Sequence, residues 1–503
     1  MHSHEASDPS APTTTSTSRW IGRAAEIAVS LTTAALFTVL CIDIDVEPLE
    51  RIGQVSGLAA IGLRYAVIAL ALIAALVIAA RVRGGKSFAM AERLTCAAFA
   101  GLATGMIAGG VLVALRGTPW GLNGRAGDAG VLITWIDSVR RGHHVPPGYP
   151  PLSIHAMARY ADLLDLKSGY ALKHMQIIGT ALMGPATYLC WRLVLRPGWA
   201  LGIGLVASMP LIDASPYKPY GNLVLLLFVP LIVWFLDVLR HAADHTGPSL
   251  ARRGALLGAA MGILCLTYSG WFQWSAPGVL LAALALFPWR GGARKGLVLC
   301  GFAAAMFAAV AGRYVHGVVT DPTGIVDNYI YFDVGTEPAY IAMYRGDLPG
   351  PVALWPPLGE LGGVGVFTLL LVTGLGLSVV LGRGRTLVIA AGSLVAGAWL
   401  LRFHYASLLW QTKLVQLFPR TTAEIVHCLL LLCGYAVYLA VERIRGSGPG
   451  RELDNRSALI GAVCGLALLF ASTGSAISDH YMPNADRPIS PGWLAWTAHK
   501  TPI

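Results

Sequence analysis

The chain has 503 residues, 55% of them hydrophobic and only 13% charged, with a mean hydropathy of +0.61. Soluble domains carry roughly a quarter charged residues, so this balance excludes a soluble globular protein and points to the bilayer. The formal charge of +10 is no argument for nucleic acid, because it is spread over short connections between apolar runs, where anionic membrane lipids are the expected partner.

Residues 1–18 are rich in Ser, Thr and Pro and are expected to form a disordered cytoplasmic tail. After them come apolar runs near the roughly 20 residues that cross about 30 Å of hydrocarbon. They fall at 24–42, 57–80, 94–115, 170–190, 198–213, 222–240, 254–270, 275–289, 296–313, 362–382, 386–402, 422–441 and 457–476. The expected fold is therefore an all-α polytopic membrane protein with about thirteen transmembrane helices. The seventh and eighth runs are short enough to be one broken pair.

Every second connection is short and basic. Examples are Arg81, Arg83 and Lys86, then Arg192 and Arg196, then Arg240, Arg252 and Arg253. Positive charge marks the cytoplasmic side, which sets the N-terminus in the cytoplasm, the C-terminus outside, and the protein in the plasma membrane. The eight cysteines lie in or beside apolar runs with no metal-ligand or CxxC spacing, so neither a zinc site nor a disulfide framework is expected. No Walker loop, dinucleotide-binding fingerprint, HExxH or GxSxG elbow is credibly placed.

The polar chemistry gathers in the outer connections. Two of these, 116–169 and 314–361, are too long to be plain connectors and are expected to hold amphipathic helices lying on the membrane surface. In the first, Leu132, Trp135, Ile136 and Val139 recur at i, i+3, i+4 and i+7, one face of a helix that Gly142 ends. Asp128 stands at the start of that helix, either as an N-cap or as a general base. Asp137 lies nine residues on, about 180° round the helix, with Arg140 and Arg141 spaced for an ion pair. The following His143-His144-Val-Pro-Pro-Gly-Tyr149-Pro-Pro is a stiff extended strap, because residues before proline avoid helical geometry.

Further along, Lys218 in Asp213-Ala-Ser-Pro-Tyr217-Lys218-Pro-Tyr220 reads either as a phosphate-binding point charge or as a lysine snorkelling to headgroups. Tyr268, Trp271, Phe272 and Trp274 crowd the next outer turn, as an interfacial belt or a sugar-stacking platform. Arg402, His404, Lys413 and Arg420 gather where the charge rule predicts few bases, which suggests an anionic ligand or an acidic neighbour such as Glu424.

Taken in order, these motifs resemble the actinobacterial galactan 5-O-arabinofuranosyltransferase family, within the polyprenyl-phosphate-sugar-dependent GT-C class. The residues that carry the resemblance are Gly121-Leu-Asn-Gly-Arg125-Ala-Gly-Asp128, Trp135-Ile-Asp137, Gly148-Tyr149-Pro-Pro151 and Met157-Ala-Arg159-Tyr160. They continue with Ser215-Pro-Tyr217-Lys218-Pro-Tyr220, Thr267-Tyr-Ser-Gly-Trp271 and Leu417-Phe-Pro-Arg420-Thr-Thr422. The resemblance covers most of 20–476 and implies a GT-C-like transmembrane domain over 19–476, followed by a short extracytoplasmic tail at 477–503. Family members carry a larger domain after the last span. The family's first acidic residue of the long loop falls nearer Arg125, and Asp128 is matched to it; Asp137 matches a second.

The resemblance implies an inverting transfer of arabinofuranose from decaprenylphosphoryl arabinofuranose to a galactan-like cell-wall polysaccharide, without a cofactor. In that scheme Asp128 is the general base and Asp137 the second candidate. Lys218, Arg420 and Arg140 hold the donor phosphate, while Tyr149, Tyr217, Tyr220 and Trp271 line the sugar and lipid entry. The alternatives are another polyprenyl-phosphate sugar such as mannose, a transporter or flippase, and an inactive paralogue. Few charges are expected within the spans.

Overall fold

The computed structural model describes residues 16–82, 85–214, 217–320, 328–330, 366–412, 414–416, 421–446, 455–488 and 490–502. From the N-terminus the helices are α1 (Ser16–Leu40), α2 (Arg51–Val82), α3 (Gly85–Ala114), α4 (Gly127–Arg140), α5 (Pro151–Leu163) and α6 (Ser168–Trp191). An irregular stretch follows, in which α7 (Pro197–Trp199) leads through a π segment and a 3-10 turn into α8 (Met209–Ala214). Then come α9 (Pro219–Arg240), α10 (Gly247–Thr267), α11 (Gly270–Leu286) and α12 (Ala293–Thr320). The chain closes with α13 (Val366–Gly382), α14 (Thr386–Ser407), α15 (Leu409–Thr412), α16 (Thr421–Gly446), α17 (Asn455–His480) and α18 (Pro491–Lys500). One short antiparallel pair, β1 (Asn328–Ile330) with β2 (Leu414–Gln416), sets Tyr329 opposite Val415.

This is a polytopic helical membrane protein. Among the described residues nine helices are long and apolar enough to cross a bilayer, and three shorter apolar helices cover Pro197–Asp213, Gly270–Leu286 and Leu369–Gly382. Among the described residues each of the thirteen expected apolar runs lies mostly on helix; residues 362–365 of the tenth run lie outside the described residues. The run at 170–190 lies on α6, whose Lys173, His174, Gln176 and Pro185 keep it outside both groups. Large apolar side chains such as Leu63, Val67, Val319, Val380 and Leu468 point outward, as lipid-facing positions do when every backbone bond is satisfied inside its own helix.

Small residues let the helices approach closely, the usual device where lipid competes with apolar side chains. On α3, Gly101, Gly105 and Gly109 form a four-residue ladder against α1; a Cβ at Gly101 would meet the Ser30 carbonyl oxygen at 2.2 Å. On α10, Gly254, Gly258 and Gly262 repeat the ladder against α12, where a Cβ at Gly258 would lie 2.1 Å from the Ala303 oxygen. The α11–α14 crossing uses one glycine from each side, Gly278 and Gly397. These contacts make α3 the buried centre of one half and bring α9, α11, α14 and α16 together in the other.

Among the described residues, Arg402, Glu424 and His427 are buried deep inside the bundle. Arg402 is fully buried and donates to the Thr421 and Thr422 hydroxyls at 3.2 and 2.9 Å. Glu424 accepts from the Ser275 hydroxyl at 2.8 Å, and His427 meets the Ala207 carbonyl at 3.0 Å. At the end near the N-terminus of α1, buried Glu26 takes Arg93 and Arg192, an ion-paired tie among α1, α3 and α6.

Within the stretch expected as a short extracytoplasmic tail, α18 forms and packs on the rest of the chain. Ser490 caps α18, accepting from the Trp493 amide at 3.2 Å, with Pro491 at its first position. The helix then docks on the segment between α3 and α4. The Asn123 amide donates to the Leu494 carbonyl at 2.8 Å, Thr118 to that of Ala498 at 3.0 Å, and His499 bonds the Ala114 carbonyl at 2.9 Å.

Candidate functional site

The expected surface helix is present as α4, which begins at Gly127 with backbone φ of +47° and stops before Gly142, at φ +84°. A side chain is strained at such angles, which accounts for glycine at both ends. Leu132 and Ile136 are buried, and Trp135 and Val139 pack on them together with Tyr149 and residues of α5. The two short helices lie over one end of the bundle, above the starts of α6 and α9 and the break at Tyr268-Ser269 between α10 and α11.

Asp128 is not the N-cap; that position belongs to Ala126, and no side chain caps the helix. Instead its carboxylate leaves α4 and meets the residues just before α9. Lys218 Nζ lies 2.7 Å from Asp128 Oδ2, and the Tyr217 hydroxyl donates to the same oxygen at 3.5 Å. The Asp128 side chain is 51% exposed and that of Lys218 16% exposed, so the pair straddles the boundary between the protein surface and its interior. Lys218 also lies 5.8 Å from the Tyr217 ring centre.

Beside this pair, the expected aromatic residues form a wall. The hydroxyls of Tyr149 and buried Tyr220 share a hydrogen bond, and Tyr149 packs on Trp135 with ring centres 4.5 Å apart. Trp271 is buried and donates its indole N–H to the Gly221 carbonyl at 2.6 Å, and Tyr268 leans on it at 6.1 Å. The Tyr149 strap is anchored a second time, because the Tyr314 hydroxyl donates to the Gly148 carbonyl at 3.4 Å and bonds Ser269 at 2.8 Å.

Two expected residues lie elsewhere. Asp137 sits about 14 Å along the helix from Asp128 and accepts from the Ser168 hydroxyl at the start of α6. Its expected ion pair with Arg140 or Arg141 does not form, because Arg140 turns to Asp162 at 2.8 Å and to the Leu166 carbonyl at 2.9 Å. Arg140 is therefore held away from Lys218, at the far end of α4. Arg420, Lys413, Ser215, Pro216 and all of the second long loop beyond Thr320, apart from β1, lie outside the described residues.

Asp137 instead belongs to an open cavity of about 520 Å³ along the outer side of α4, lined by Arg125, Gly127, Gly130, Val131, Thr134 and Trp135 among others. Gly127, Gly130, Thr134 and Asp137 fall on one helical face, and that face carries no large side chain. Gly130 has no alternative, since a Cβ there would meet the Arg125 carbonyl oxygen at 2.1 Å. Arg125 is held over the Trp120 ring at 5.1 Å. Neither this groove nor the supports of Asp128 by Tyr217 and of the strap by Tyr314 are signalled by local spacing.

The segment leading into α4 is rigidly held. Gln176 of α6 accepts the Leu122 amide at 2.8 Å, Asn123 donates to the Ala126 carbonyl at 2.9 Å, and Lys173 ties down the Leu115 and Thr118 carbonyls. Burial of the His499 side chain, where α18 meets the end of α3, lowers its pKa below the ordinary histidine value, with the nearby Lys173 and Lys500 pushing the same way and the Ala114 carbonyl and Glu47 opposing. Among the described residues no group of three or more His, Cys, Asp or Glu is placed to hold a metal ion.

No protein-family model matches the chain, and no curated protein matches it.

Proposed function

We propose that this chain is a membrane glycosyltransferase that takes arabinofuranose from decaprenylphosphoryl arabinofuranose and places it, with inversion, on a galactan-like acceptor. The observation that carries the reading is the Asp128–Lys218 pair at the end of a membrane bundle, beside the wall of Tyr149, Tyr217, Tyr220 and Trp271. A carboxylate and an ammonium group side by side at the membrane surface suit a reaction that removes a proton from one oxygen and leaves charge on another.

In this scheme the resting ion pair holds both groups in place. The incoming donor phosphate competes for Lys218, which frees the Asp128 carboxylate. The acceptor hydroxyl oxygen then attacks the anomeric carbon as the bond to the phosphate oxygen breaks. Its proton passes to Asp128, and the bonding pair leaves with decaprenyl phosphate, whose charge Lys218 meets. The groove along α4 is the place for the acceptor, with Trp135 as a stacking face and Arg125, Thr134 and Asp137 for its hydroxyls. Asp137 is then a positioning group, which its distance from Asp128 favours over the role of base. The test is a cell-free assay in which membranes holding this protein receive radiolabelled decaprenylphosphoryl arabinose and a short galactan. The corresponding mannose donor is run in parallel, and arabinose transfer without mannose transfer is the expected result.

One observation favours a second reading, a transporter or flippase of lipid-linked glycans. Arg402, Glu424 and His427 are buried in the bundle, and charged groups at membrane depth often mark a transport path. Movement of the labelled donor across proteoliposome membranes without any transfer to acceptor would select that reading.

A further inference from the structure

At the end of the bundle opposite α4 and α5, a cavity of about 440 Å³ opens between the turn after α6, the last turns of α9, the start of α14 and α16. Its inner walls are apolar, with Val233, Leu387 and Tyr435 buried and Val194, Leu195 and Trp234 partly so. Its rim is charged and exposed, formed by Asp237 and Arg240 of α9 and by Arg385.

The rim charges are not all met by one another. Arg385 pairs with Glu442 at 3.1 Å. Arg240 donates only to the Gly384 carbonyl and has no carboxylate within ion-pair distance among the described residues. Asp237 uses one carboxylate oxygen, Oδ1, for the Thr386 hydroxyl at 3.1 Å and for His241 at 3.7 Å. Its other oxygen has no protein partner among the described residues. Asp237 and Arg240 are three residues apart on one helix, hence neighbours on its surface, yet the Gly384 carbonyl holds the guanidinium away from the carboxylate. The site thus offers one unmatched positive charge and one available carboxylate oxygen side by side over an apolar floor.

We propose that this cavity binds a phospholipid with a phosphoethanolamine headgroup, its phosphate on Arg240, its ammonium on Asp237, and its acyl chain along Leu195, Val233 and Leu387. A phosphate alone would leave the carboxylate facing an anion, and a quaternary amine has no N–H to donate to it. A free headgroup would leave the apolar walls wet. The adjoining short connections are basic, so the cavity faces the headgroup layer that such connections attract.

The experiment is native mass spectrometry of the delipidated full chain, titrated with phosphatidylethanolamine, phosphatidylglycerol and phosphatidylcholine of identical acyl chains. The wild-type protein is expected to retain the ethanolamine lipid roughly fivefold better than the choline lipid, about the effect of one charge contact at a membrane surface. Asp237→Asn should lower ethanolamine-lipid retention and abolish its preference, without weakening retention of the glycerol lipid, while Arg240→Gln should weaken both. Equal wild-type retention of the ethanolamine and choline lipids would overturn the proposal. So would competition by free phosphoethanolamine as strong as by the whole lipid, or an unaltered preference in both variants. The wild-type series requires no variant to fold, so the proposal stays refutable if either substitution disrupts the protein.

Discussion

Lys218 and Asp128 lie ninety positions apart in the chain, yet their side chains meet at 2.7 Å where the first turn of α4 crosses the residues before α9. The contact joins a surface helix to a membrane helix. It also gives each partner a charge that a ligand can take over.

Removing the ammonium group separates the structural role of this pair from its chemical one. Lys218→Met should change thermal stability in detergent by no more than about 1 kcal/mol, because a half-exposed ion pair contributes little to folding. Arabinose transfer should fall about a hundredfold to a thousandfold, the scale of losing one donor to developing charge. Unfolding curves and the labelled-donor assay on the same preparation check both halves.

The tyrosine pair over the site predicts an asymmetry. Tyr149→Phe leaves the Tyr220 hydroxyl buried without its partner, which should cost about 1–3 kcal/mol. The double change Tyr149→Phe with Tyr220→Phe removes both hydroxyls and should cost less than the single one. Thermal unfolding of the three proteins measures the difference.

Docking of α18 should depend on pH. The folded state holds His499 neutral, with its pKa lowered chiefly by burial, so below the ordinary value the unfolded form binds more protons than the folded one. Its contribution is fully present above about pH 6.5 and is lost as the pH falls from there through the lower folded value. Protection of the Asn123 amide, which donates to the Leu494 carbonyl, taken relative to its intrinsic exchange rate at each pH, should fall between pH 7.5 and 5.5. His499→Gln should flatten that response.

The glycine ladder on α10 can be broken at one position. A side chain at Gly258 meets the Ala303 carbonyl, and backbone cannot give way as a flexible side chain can. Gly258→Val should therefore part α10 from α12 and destabilise the protein by about 1–3 kcal/mol or more. Gly301→Val, on α12 with open space around it, is the control and should be close to neutral.

The elements legible in the sequence were those written in local periodicity. The apolar runs lie mostly on helices, and α4 shows the face of Leu132, Trp135, Ile136 and Val139 that its spacing predicts, ended at Gly142. The Pro-rich strap between α4 and α5 stays non-helical. What local spacing misjudged were choices among partners distant in the chain. Asp137 had two arginines at helical spacing, yet Ser168 and Asp162 offered better geometry to it and to Arg140 respectively. Asp128 had a cap position in reach, but Ala126 takes it and Lys218 claims the carboxylate. Glu424 was expected as an acidic neighbour of the bases around Arg402, inside the apolar run at 422–441. With α16 starting at Thr421 it is already buried. The docking of α18 had no local signal, since its partners are backbone groups near Thr118 and Asn123.

The most direct measurement compares wild-type protein with Asp128→Asn and Asp137→Asn for transfer of labelled arabinose from its decaprenyl phosphate to a galactan oligosaccharide. With Asp128 as the base, the first variant should fold and lose transfer, while the second should keep turnover and need more acceptor to reach it. Near-normal product from folded Asp128→Asn would contradict the account.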